Sequence, residues 1–189
     1  MRVGDYNPRM DEARRVQLRV IDESIAKRCS SITAERPWWP CTRGCADCCR
    51  RLADLPEMTA AEWERIEAAL LELEKEVRAQ LLAGVERMLA AKRGGTQFVA
   101  CAFLDDEAGA CQIYEARPAA CRTYGFFVAG PRELWCSKID AALESNQAEA
   151  ITWGNHHGVE RRLTARFGPR ITMEAWWPGA CSRLEAAAT

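Results

Sequence analysis

The 189-residue sequence predicts one mainly α-helical domain of irregular architecture with a small β-hairpin, and three observations carry that expectation. Residues 59–95 repeat apolar side chains at spacings of three and four, the pattern of an amphipathic helix. Residues 98–115 read as two β-capable runs around an acidic, glycine-containing turn. The length supports one sizeable core and is too short for two comfortable ones, so residues 1–189 are expected to form one domain.

The elements follow in order. A helix is expected from about Asp11 to Cys29, with Val16, Val20 or Ile21, and Ile25 at helical spacing among charged residues. "SSITAERPWWPC" breaks the pattern at Pro37 and Pro40, so the cysteine-rich run that follows starts in a loop. Thr59 and Glu62 stand at capping-box spacing, and Gly94–Gly95 closes the segment they open. Within it, Trp63, Ile66, Leu70, Leu73, Val77, Leu81, Val85 and Met88 make one apolar face. Gly84 marks the place where this segment would bend or divide. A core-packed helix or a helical hairpin is expected, since the heptads are too few for a coiled coil.

Next come "FVACAFL" (98–104), the turn "DDEAG" and "ACQIYE" (110–115), the expected hairpin. Pro118 suits the first turn of a short helix carrying Cys121 and Arg122. Residues 137–167 are largely helix-compatible, with an interruption at "WGNHHG". No long repeat and no low-complexity linker divides the chain.

Composition narrows the function classes. Hydrophobic residues are 48% and charged residues 28% of the chain, the balance of a globular protein. The formal net charge of -1 gives no global field for nucleic acid or an anionic membrane, which makes a nucleic-acid partner unlikely to be read here. The first twenty residues lack the apolar stretch of a signal peptide, and no run is long enough to span a bilayer. A cytoplasmic location without membrane partner is therefore expected, where thiols stay reduced.

Ten cysteines in such a chain are a large excess. "CTRGCADCC" puts Cys41, Cys45, Cys48 and Cys49 into nine residues; Cys101, Cys111, Cys121 and Cys136 form a second group on the hairpin and after it. In a reducing compartment, metal is favoured over disulfides. Four thiolates suit zinc or an iron–sulfur cluster, and ligands three or four residues apart converge because one backbone turn brings them together. Adjacent side chains diverge, so Cys48 and Cys49 serve different metals or one of them is structural. Residues 41–136 are thus the expected metal-binding core of a metal-stabilised domain.

The run C-x-x-x-C-x-x-C-C is followed by "CAFL" at 101–104, by Cys111 with Ile113–Tyr114, and by Glu115 with "RPAACR" at 117–122. Over residues 41–124, with Cys136 in addition, this combination resembles the cysteine-cluster family known as the YkgJ family of zinc- or iron-chelating domains. The resemblance implies a metal-chelating cysteine cluster and leaves the metal open between zinc and iron. A related pattern in flagellin lysine N-methylases hints at methyl-transfer or redox chemistry.

Arg43, Arg50, Arg51, Arg117 and Arg122 flank the thiols and are expected to offset thiolate charge, with the helix start at Pro118 adding a positive backbone end. Trp38, Trp39, Tyr114, Tyr124 and Phe126 would exclude water, which favours an iron–sulfur cluster over zinc. Other readings compete. Cys41, Cys45 and Cys48 share the C-x-x-x-C-x-x-C spacing of radical S-adenosylmethionine enzymes, but too few residues follow for their barrel. A thioredoxin-like relay would need a strand–helix–strand around Cys45–Cys48. A redox or methyl-transfer enzyme at a cluster, or a zinc-stabilised module with a protein partner, remain as alternatives. His156, His157, Cys29 and Cys181 fall outside the pattern, and polar packing or core burial is expected for them. The echo of "WWPC" (38–41) in "WWPGAC" (176–181) suggests that the C-terminal tail packs near the cysteines.

Overall fold

A computed structural model describes residues 11–130, 136–146 and 151–186. Residues 1–10, where the absence of a signal peptide was expected, and residues 147–150 of the helix-compatible stretch 137–167, lie outside the described part.

Helix α1 (Glu12–Glu35) starts at Asp11, whose carboxylate accepts the Arg14 N–H at 2.8 Å. It runs past Cys29, where the sequence expectation ended. Its buried stripe is Leu18, Ile21, Ile25 and Ile32, whereas Val16 and Val20 are 45% and 57% exposed. Of the expected positions, Ile21 and Ile25 are therefore on the buried face and Val16 and Val20 are not; that face looks toward the helices that α1 packs on, α3, α5 and α7.

The long amphipathic segment folds into a helical hairpin, α3 (Ala60–Leu71) and α4 (Lys75–Arg93). It divides at residues 72–74, not at Gly84. The reason lies in Arg78, whose buried guanidinium donates to the Leu71 carbonyl at 3.2 Å and so satisfies an acceptor at the end of α3. Folding back lets both helices give Trp63, Ile66, Leu70, Leu81, Val85 and Met88 to one core. Gly84 stays inside α4, where a side-chain carbon would make ordinary contact with the Ala102 Cβ at 3.5 Å.

That β-hairpin is small: β2 (Leu104–Asp105) pairs antiparallel with β3 (Ala110–Cys111). Asp105 accepts the N–H groups of Glu107 and Ala108 at 3.0 Å, and Gly109 takes a φ of 62°, so the acidic turn is built by turn chemistry. Two more two-residue pairings join distant segments: β1 (Glu57–Met58) with β6 (Ile171–Thr172), and β4 (Phe127–Val128) in parallel with β5 (Gly154–Asn155). Helix α5 (Ala119–Thr123) has Pro118 at its N-cap. Helices α6 (Ser137–Ser145), α7 (His156–Phe167) and α8 (Met173–Ala186) complete a mainly helical fold.

Helix α3 stands between two cores. One gathers α3, α4, α8 and the β-hairpin. The other gathers α1, α5, α6, α7 and Trp39, and reaches α3 through Ala61. The tail tryptophans belong to the first: Trp177 meets Trp63 edge-on at 6.5 Å, and the Trp176 indole donates to the Met58 carbonyl at 3.1 Å. Trp38 and Trp39 belong to the second, so the two tryptophan pairs are not partners.

Glu62 links the two halves. Its fully buried carboxylate accepts the Thr59 N–H and hydroxyl, and also the Ala119 N–H at the start of α5, each at 2.8 Å. Glu62→Ala removes three hydrogen bonds to a charged acceptor and orphans two buried N–H groups. Urea denaturation should show a loss of about 3 kcal/mol or more, with Glu62→Gln losing less. An unchanged midpoint in Glu62→Ala would contradict this bridge.

Candidate metal centre

The first cysteine group is anchored by Trp39. Its ring is 3% exposed and packs on Trp38 at 5.7 Å, Trp153 at 5.6 Å and Phe126 at 6.1 Å between centroids. Two residues on, Cys41 lies against the chain at Gly125, where a Cβ would come within 2.4 Å of its sulfur. A turn closed by Cys45 N–H on the Thr42 carbonyl leads to α2 (Asp47–Arg50), which carries Cys48 and Cys49.

Backbone bonds bring the second group alongside. Cys101 N–H donates to the Cys49 carbonyl at 2.7 Å, and Leu52 and Val99 exchange both of their bonds as an antiparallel bridge. Cys111 pairs with Leu104 in the hairpin, whose tip at Gly109 touches the Gly44 carbonyl. Cys121 rides on α5, which Glu62 fastens at its start, and Cys136 is the N-cap residue of α6.

All ten cysteines are free thiols. Burial pushes Cys41 up to about 12, and charge repulsion from Cys45, Cys48, Cys136 and Cys29 adds to the shift. Burial also raises Cys101 to about 11, with Cys111 and Cys48 adding. Cys121 is pushed strongly upward by burial and then by Cys101, Cys111 and Cys48. Cys48 rises furthest, through its contact with the Cys49 thiol at 4.0 Å and then through burial. Cys41 thus feels Cys45 and Cys136, Cys121 feels Cys101 and Cys111, and Cys48 acts on both. The eight sequence-predicted cysteines therefore share one neighbourhood. Among the described residues, no three His, Cys, Asp or Glu side chains already stand in the array that holds a metal ion.

The expected role of the arginines needs correction. Burial outweighs their charge, so the shifted thiols are held as thiols, not thiolates. Arg50 pairs with Asp106, Arg51 stacks over Phe98, and Arg43 lies over Tyr114 beside Glu115. Arg122 turns away to Asp22 and to the carbonyls of Arg117 and Glu115, and Asp22 also holds Arg65. Arg117, stacked 3.5 Å over the Tyr114 ring, does act on shifted thiols, pulling Cys29, Cys111 and Cys121 downward against burial. The cation facing Cys45 and Cys136 is Lys138, which Asp47 holds at 2.9 Å.

Two neighbours escaped the sequence reading. Cys29 on α1 sits 3.8 Å from the Arg122 carbonyl and acts on Cys41, which itself approaches the Tyr124 carbonyl at 3.8 Å. Its place on the buried stripe of α1 was the available signal. Gly125, at a φ of 86°, is the second. Tyr124, one of the aromatics expected beside the thiols, is raised to about 12 by burial and by Cys136, Cys48 and Cys41. The expected polar packing of the histidines holds: both meet Glu160 at 3.2 Å, and Arg170 completes the group. Cys181 packs against the α3–α4–α8 core.

Residues 40–165 match the model of the family described as "CxxCxxCC: Putative zinc- or iron-chelating domain". No solved structure matches the chain.

Two outcomes are expected. Gly125→Ala forces a left-handed φ on a residue with a Cβ and drives that carbon into the Cys41 sulfur. It should cost about 1–3 kcal/mol in backbone strain and lower the metal content per chain measured by elemental analysis. Second, the folded thiols keep protons that the unfolded chain releases near the ordinary value of 9.0. Stability of chelator-treated protein should be full below that pH and fall as pH rises through 11 to 12. A melting temperature that rises with pH over this window would contradict the burial of these groups.

Proposed function

Because the chain belongs to the CxxCxxCC family of zinc- or iron-chelating domains, we propose that it holds an iron–sulfur cluster through cysteine thiolates drawn from Cys41, Cys45, Cys48, Cys49, Cys101, Cys111, Cys121 and Cys136. The observation that carries this reading is that Cys48 acts on Cys41, which also feels Cys45 and Cys136, and on Cys121, which also feels Cys101 and Cys111. A shared central sulfur fits a polynuclear centre better than two independent mononuclear ones. The donor chemistry fits as well. Every donor is a soft sulfur, none is spent in a disulfide, and Gly125 keeps the space beside Cys41 open.

Such a cluster supplies electron transfer, at a potential set by net charge, hydrogen bonds to sulfur and solvent exposure. The chain's own residues contribute on each count. Trp39 and Phe126 keep water from the Cys41 side, Arg117 supplies positive charge to the Cys111–Cys121 side, and Lys138 supplies it to Cys45 and Cys136. Zinc is the second reading. Cys48, Cys101, Cys111 and Cys121 make four sulfurs, the number a closed tetrahedral zinc site takes. In either case the metal ties α2, the hairpin, α5 and α6 together, so part of the folding free energy is metal-binding free energy.

Anaerobic purification with analysis for iron, zinc and acid-labile sulfide separates the readings. Iron with stoichiometric sulfide and a visible charge-transfer band is expected. Zinc without sulfide after anaerobic reconstitution would sink the cluster in favour of the second reading. Cys48→Ser should lower the metal content per chain, because Cys48 acts on both Cys41 and Cys121.

A further inference from the structure

A cavity of about 460 Å³ opens between α1 and the start of α7, away from the thiols. Its wall includes Arg28, Phe127, Trp153, Asn155, Gly158 and Arg162, and no carboxylate. By contrast, Arg50, Arg65, Arg122 and Arg170 all meet acidic side chains. Arg162, exposed on α7, donates to the Ser24 hydroxyl at 3.0 Å, a neutral partner. Among the described residues Arg28 has neither a hydrogen-bond nor an ion-pair partner, although it is half-buried. Two guanidinium groups share one concave wall that holds no carboxylate, so an anion in the cavity is attracted by both.

Other features agree in sign and shape. The twelve-residue helix α7 begins at the rim, adding the positive end of its dipole. Gly158 in its first turn places no side chain there. Trp153 lines the wall with its indole, offering a planar apolar surface beside the charges. The volume lies within the range of small-ligand sites.

We propose that this cavity binds a small organic anion carrying a planar ring, its anionic end between Arg28 and Arg162 and its ring against Trp153. The site stands apart from the identity of the metal. It is nonetheless joined to the thiols by one aromatic layer. Trp153 meets Trp39 at 5.6 Å, and Trp39 precedes Cys41 by two residues. On the other side, the Gly154 N–H donates to the Phe126 carbonyl at 2.9 Å, next to the Gly125 that abuts Cys41.

The test is isothermal titration of the full-length, metal-containing protein at low salt with adenosine 5′-monophosphate and, separately, with benzoate. The first presents a phosphate and the second a carboxylate. Adenosine and inorganic phosphate serve as half-ligands. Saturable binding of one anion per chain is expected for at least one of the two probes, at least tenfold tighter than either half-ligand. Arg28→Glu should weaken it at least tenfold; because Arg28 gives up no partner, its circular dichroism spectrum should match that of the unmodified chain. Absence of saturable binding by both anions overturns the proposal. So does binding that survives Arg28→Glu unchanged, which would mark adventitious association elsewhere.

Discussion

Much of this fold depends on where the carboxylate of Glu62 points. A buried charge survives only if its lone pairs are taken up, and Glu62 has three donors, two from Thr59 and one from Ala119. The first two cap α3. The third reaches across 57 residues of sequence and fixes the start of α5, and with it Cys121. A local helix-start signal thus doubles as a tertiary clamp between the helical hairpin and the thiol neighbourhood. The ion group of Asp22, Arg65 and Arg122 repeats the tie one layer out, joining α1, α3 and α5.

The thiols pose the opposite electrostatic problem. Around them, burial and mutual repulsion disfavour the charged form, and most nearby arginines are engaged with carboxylates or aromatic rings. The fold therefore gathers sulfur donors without gathering negative charge. Chelation must release protons at the moment the thiolates form, so affinity gains with pH until the fold itself begins to suffer. Lys138 and Arg117 sit where they can share the charge that then accumulates.

Legibility in the sequence followed period and length. The α3–α4 face was readable because its apolar positions recur over many turns, and every one of them contributes to or packs against one core. The break at residues 72–74 was not, because it depends on Arg78 finding the Leu71 carbonyl, a contact no composition rule announces. In α1, exposed Val16 and Val20 competed with the true stripe, and only the partner helices decide between them. Two-residue strands such as β4 and β5 have no period to read. The cysteine spacing picked out thiols that the fold brings near one another, and the family resemblance matched the domain found over residues 40–165. The grouping of those thiols about Cys48, and the arrival of Cys29 from α1, required the backbone bonds between residues 49–52 and 99–101.

Those same backbone bonds turn the chain between them into a detour. Because Leu52 and Val99 are joined, α3 and α4 leave the cysteine framework and return to it at one closed neck. Distance along the sequence between Cys49 and Cys101 is then no measure of their separation, and the entropy of joining them is met by the neck and not by the thiols. The far end of the detour, at residues 72–74, is free to grow or shrink in evolution or by design. The near end is not, since Glu62 stands only ten residues past the neck and holds α5 in place. One loop thus combines a tolerant tip with an exacting root.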